Sequence, residues 1–155
     1  SSPSLGVPAH GIWVIVNGGA AADIGTAIYK KKNAGCAMTG AQSYPVVRPQ
    51  GNTATMYWDN ALVETLYVRA TLIPRIAGQV FDLTADEEAL ANAMVYKLGE
   101  RPNVGDVAFA MATIEPLAIV TSAEVSIDGS SWAQIVTPLT FQHYFVLTAV
   151  RVTLT

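Results

Sequence analysis

Asp23 to Gly40 reads DIGTAIYKKKNAGCAMTG, and the segments on either side of it decide the fold. An apolar run, Ile12-Trp13-Val14-Ile15-Val16, precedes it and is broken by Asn17-Gly18-Gly19. A continuous β-branched run of this kind is the pattern of a strand covered on both faces. Ala20, Ile24, Ala27 and Ile28 then recur at three- and four-residue spacing, which predicts a helix over about 21–33 with one apolar face. Gly35 is placed as its stop. Lys30, Lys31 and Lys32 fall in the last turn, where cations complement the helix dipole, so the cluster reads as a solvated helix end.

Beyond Gly40 the period changes from helical to strand-like. Strands are expected over 44–48, 53–58 and 66–73, with Pro49-Gln50-Gly51-Asn52 turning between the first two. In the last of these Leu66, Val68, Ala70 and Leu72 alternate with Tyr67, Arg69 and Thr71. One face is therefore apolar and the other mixed, as in a sheet whose second face meets water or a partner.

The order of a GIWVIVNGG strand, an Ala-Ile helix ending in lysines, an Ala34-Gly35 exit and then TMYWDNALVETLYVRATL resembles the baseplate J-like family of contractile, Mu-like phage tails and prophages. The matching positions are Gly18, Gly19, Ala27, Ile28, Lys30, Gly35 and Gly40, followed by Tyr67, Val68, Arg69 and Thr71. The resemblance covers most of residues 8–75 and the rest loosely. It implies a structural component of a tail baseplate wedge, assembled in the bacterial host cytoplasm and resident in the virion tail baseplate. Its partners would be other baseplate and tail proteins and copies of itself, with no enzymatic activity and no cofactor. Family wedges ring a central hub and rearrange mechanically when the sheath contracts, so interfaces that repack between discrete states are expected. Members are commonly longer and this chain begins without Met, so it is expected to be a C-terminal portion lacking an N-terminal region that contacts other wedge subunits.

The second half repeats a helix-and-sheet plan. Thr84-Ala85-Asp86-Glu87 has the form of a capping box and predicts a helix to about Leu98, with Ala91, Met94, Val95 and Leu98 buried and Gly99 as its end. Val80 to Leu83 is expected as a short strand before it. Asp106 is expected to cap a shorter helix containing Val107, Ala110, Met111 and Ile114, which must stop before Pro116. Strands come next over 118–127 and 132–137, joined by the turn Asp128-Gly129-Ser130-Ser131. A long terminal strand covers 144–154, with Val146, Thr148, Val150, Val152 and Leu154 on one side. The expected fold is α+β, in two small subdomains, each an antiparallel or mixed sheet with one or two helices packed on one face. The boundary is placed at Pro74 to Gln79, giving a strand-helix-strands part over 1–75 and a helix-helix-strands part over 76–155.

Composition narrows the function class. With 51% hydrophobic and 14% charged residues, the chain is more apolar than a free soluble monomer, and the excess must be buried in core or in partner contacts. Trp58, Tyr67 and Arg69 are the candidate interface residues. No run approaches the roughly 18 apolar residues that a membrane-spanning helix needs. Cys36 is the single cysteine, which excludes an internal disulfide framework and fits a structural thiol. Residues 1–80 carry six Lys/Arg against three Asp/Glu, and residues 81–155 carry three against nine. The halves could attract each other or opposite patches on neighbouring subunits. Nucleic acid is a poor partner, because duplex binding needs a basic stripe that neutralises several phosphates.

Catalytic and ligand motifs do not assemble. Gly18-Gly19 followed by Gly25 departs from G-x-G-x-x-G, and DGSSW at 128–132 is neither G-x-S-x-G nor placed at a strand-to-helix elbow. His10 and His143 lie far apart without carboxylates at metal-ligand spacing, and Asp86-Glu87-Glu88 points in different directions around a helix. Trp13, Trp58 and Trp132 read as core or interface residues. The alternative use of these aromatics is a small-ligand or carbohydrate binding module built on an aromatic sheet face.

Overall fold

The computed structural model describes residues 7–140 and 142–154 and divides into two compact units between Ala61 and Leu62. The fold is α+β, with helices packed on small mixed sheets.

The first unit contains β1 (Ile12–Trp13), β2 (Ile15–Val16), α1 (Ala21–Lys31), β3 (Met38–Thr39), β4 (Gln42–Val47) and β5 (Thr53–Asn60). β5 is central, with β2 parallel on one edge and β4 antiparallel on the other. The run over 12–16 is not one strand. It breaks at Val14, because β1 pairs with β3 while β2 pairs with β5, and the Val14 carbonyl accepts from the Asp59 amide at 3.0 Å. α1 lies on β4 and β5 and covers a core of Ile28, Val46, Ala54, Met56 and Trp58. It stops at Lys31, earlier than expected, with the Lys32 amide bonded to the Ile28 carbonyl at 2.8 Å.

Two glycines permit this packing. A Cβ at buried Gly25 would stand 3.0 Å from the Tyr44 ring, so its absence lets the helix approach the sheet. Gly40 has φ 154°, and a Cβ there would run into the backbone of Trp58.

The second unit contains β6 (Leu62–Pro74), α2 (Leu83–Ala93), α3 (Val104–Ile114), β7 (Ala118–Ser126) and β8 (His143–Leu154). β6 is the middle strand, antiparallel to β7 and parallel to β8. This pairing moves the boundary from the expected 74–79 to Ala61/Leu62, since β6 takes both of its hydrogen-bonding neighbours from downstream. Its alternation is as expected: Leu66, Val68, Ala70 and Leu72 are buried, and Tyr67, Arg69 and Thr71 are half-buried. α2 packs on β8 and α3 on β7, and Leu90, Met94, Val107, Met111, Val125 and Phe145 complete the core. Along β8 the expected one-sided set does not hold at Val146. Val146 is exposed and Phe145 is buried, and a register shift occurs opposite Leu66/Tyr67. The side chains of Thr148, Val152 and Leu154 lie outside the described residues.

Both helices of this unit begin earlier than their capping patterns suggested. Asp82, not Thr84, caps α2, its Oδ1 accepting from the Ala85 amide at 3.1 Å. No strand forms over 80–83. α2 ends at Ala93, so Val95 is left 80% exposed while Met94 is buried. For α3 the cap is Asn103, and Asp106 is its reciprocal partner: the Asp106 amide donates to Asn103 Oδ1 at 3.2 Å and the Asn103 amide donates to Asp106 Oδ2 at 3.4 Å. α3 stops at Ile114, ahead of Pro116 as expected.

The earlier start of α2 turns Asp86 inward. It is 3% exposed, and its Oδ2 accepts no hydrogen bond from a described residue. Burial, followed by the charges of Glu115 and Asp82, raises its pKa above the usual carboxylate range. A native pKa above the unfolded one means that its stabilising contribution is fully present below the unfolded pKa and is lost as pH rises through the native value. Asp86→Asn is therefore expected to stabilise the second unit at neutral pH. That gain should shrink as pH falls, in thermal melts recorded across pH; a destabilised variant at neutral pH would contradict it. In the first unit, Trp58→Ala should cost about 3–5 kcal/mol, read by denaturant unfolding, because Trp58 is 3% exposed in the core.

Candidate interaction surface on the second sheet

The half-buried residues of β6 form the face that α2 and α3 leave open. Arg69 is its centre. Its Nε donates to Glu124 Oε2 at 2.6 Å, and a terminal guanidinium nitrogen stands 2.6 Å from the same oxygen. The pairing is a consequence of register, since Arg69 lies opposite Glu124 across β6 and β7. Trp132 covers the guanidinium, with Cζ 4.2 Å from its ring centroid, the geometry of a cation–π contact.

A turn after β7 carries Trp132 to this position. Asp128 Oδ1 accepts from Ser126 Oγ at 2.9 Å and from the Ser130 and Ser131 amides at 2.8 and 2.6 Å. Ser126 Oγ in turn accepts from the Gly129 amide at 3.0 Å. These donors, the Ser131 and Ser130 amides foremost, hold the Asp128 carboxyl well below the usual range. Val125 and Ala133 exchange backbone hydrogen bonds at 3.0 and 2.9 Å, closing the hairpin. Beyond it the expected strand over 132–137 is reduced to isolated bridges at Ala133 and Ile135. Gly129 lies over the Tyr67 ring, a Cβ there standing 3.5 Å away.

The three residues singled out from sequence therefore separate. Tyr67 and Arg69 share the open face, whereas Trp58 is in the first unit's core and has no surface to offer. What the sequence missed is the convergence of Glu124 and Trp132 on Arg69, which depends on strand register and on a turn far along the chain. Trp13 is also engaged: its Nε1 donates to Asp59 Oδ2 at 2.6 Å. His143 Nδ1 lies 3.2 Å from the Thr140 amide, and Cys36 is a half-buried free thiol.

A second feature of this unit is a cavity of about 580 Å³ beside α2 and α3, walled by Met94, Val95, Phe109 and Ile114, with Tyr96, Glu100, Arg101 and Asp106 at its polar end. Tyr96 Oη donates to Asp106 Oδ2 at 3.4 Å. Burial, then the Asp106 charge, pushes the phenol above its ordinary range, so it stays a hydrogen-bond donor. Among the described residues no group of three or more His, Cys, Asp or Glu is placed to hold a metal ion. No described helix is long and apolar enough to cross a membrane.

Because the Arg69–Glu124 pair is partly solvated, its removal should have a small cost. Arg69→Met is expected to lose about 1 kcal/mol or less and to expose Trp132, seen as a red-shifted fluorescence maximum against a Trp13→Phe background. Unchanged fluorescence would show that the stack does not exist in solution. A comparison with protein-family models and with curated proteins finds none that matches the chain.

Proposed function

We propose that this chain is a non-enzymatic structural component of a contractile-tail baseplate wedge, working through protein–protein contacts in the virion. The resemblance of residues 8–75 to the baseplate J-like family supplies the class. The observation that carries the proposal is the set of large apolar side chains held in solvent: Val80 is 88% exposed, Phe109 77%, Leu139 72% and Val47 71%. Val95 and Phe109 line the same cavity beside α2 and α3, so they offer adjoining apolar surface of the kind that partners cover.

The carbohydrate alternative has weaker support. A sugar platform needs an aromatic face free to stack, whereas Trp58 is core, Trp13 is bonded to Asp59 and Trp132 already covers Arg69.

Light scattering of the chain mixed with tail proteins encoded beside it tests the assignment. A stable complex is expected, and Phe109→Glu should weaken it by at least about tenfold, as for a central apolar contact, without changing the melting temperature. If no neighbouring tail protein binds, the wedge role is wrong for this chain; if binding survives Phe109→Glu, the contact lies elsewhere.

A further inference from the structure

The C-terminal end of α1 carries more positive charge than a helix end requires. Lys30 and Lys32 are joined there by Arg48, from the turn after β4, and the three line a cavity of about 630 Å³ with Asn33, Gln50 and Asn52. No carboxylate lines it, and among the described residues none of these cations is ion-paired. The helix dipole accounts for the lysines. It does not account for Arg48 or the three amide side chains, which the β4–β5 hairpin and the helix exit bring to the same place. Lys32, with Lys31 and Asp23, also borders a largely apolar groove of about 540 Å³ walled by Ile12, Val14, Val16, Ile24 and Ile28. A basic cavity and an apolar groove thus meet at one side chain.

The start of α2 has the complementary character. Asp82 and Glu88 are exposed and Glu87 is half-exposed, and Val80, nearly fully exposed, stands two residues ahead of Asp82. Glu115 and Asp82 both act on buried Asp86, so the local field is negative. Residues 1–61 hold four Lys/Arg against two Asp/Glu, while residues 62–155 hold five against ten. We propose that the acidic start of α2 in one copy of the chain docks on the basic, apolar end of α1 in the next. Asp82 and Glu88 face Lys30 and Arg48, and Val80 enters the groove beside Lys32. The contact joins two different patches, so it is heterologous and links copies head to tail, closing into a ring or extending as a filament. It rests on the reading of the chain as an assembly component and adds the surfaces by which copies meet.

Sedimentation equilibrium of the whole chain tests this in about 0.1 M and about 1 M salt, where the Debye length is about 10 Å and about 3 Å. In the lower salt the mass should rise with concentration above 16.4 kDa, and association should weaken by about fivefold or more in the higher. The double variant Lys30→Glu/Arg48→Glu and the single variant Glu88→Lys should each self-associate less. Mixed in equal amounts they should recover one-to-one pairs, because each supplies the patch the other has lost. All three positions are exposed, so melting temperatures serve as the control for folding. A mass fixed at 16.4 kDa at every concentration, an unaffected double variant, or no recovery on mixing would overturn the docking. Should a neighbouring tail protein still bind the chain in that case, the wedge assignment stands without this contact; should none bind, both fall.

Discussion

The second unit depends on one constraint: β6 is paired along both edges, so its backbone groups are satisfied by β7 and β8 and its buried side chains must be covered from one face. Leu66 and Leu72 are fully buried, and Val68 and Ala70 are 1% exposed. Four consecutive alternate positions of this kind leave no tolerance for a one-residue slip, which would exchange the apolar set with Tyr67, Arg69 and Thr71. The same register places Arg69 opposite Glu124. Core and open face are therefore two consequences of a single pairing, and α2 and α3 take the places where their buried faces can close over β8 and β7.

In the first unit the corresponding constraint is close approach. A two-residue strand cannot be stable alone, and β1, β2 and β3 each have only two residues. β2 persists on the long template of β5, while β1 and β3 pair with each other, and Gly25 and Gly40 let α1 and the chain after β3 come near Tyr44 and Trp58 without a Cβ in the way. Trp58 lies in the core of this unit with Ile28, Val46, Ala54 and Met56.

Charge serves both structural and surface purposes. Asp82, Asn103 with Asp106, and Asp128 are used locally, satisfying backbone amides at helix starts and in a turn. Asp86 is an exception. It is buried, with the charges of Glu115 and Asp82 acting on it, which is a local cost. The cations of the first unit, the acidic start of α2 and several large apolar side chains are left at the surface.

By itself the sequence determined the class and most of the elements. Strong local signals suffice for α1, for α3 with its stop before Pro116, for the alternation of β6 and for the Asp128 turn, because helical and strand periods and turn chemistry act over a few residues. Weaker local signals misled where two caps competed, Asp82 against Thr84 and Asn103 against Asp106, since either residue can satisfy the first free amides and only packing of the helix face chooses. Tertiary structure alone decided that the apolar run at 12–16 divides between two partners, that β6 belongs with β7 and β8, and that Trp58 is core. It also decided that Trp132 and Glu124 meet at Arg69 and that Arg48 joins the lysines of α1. Each of these is a contact between residues distant in sequence, fixed by register and close approach, and no local preference of the chain encodes it.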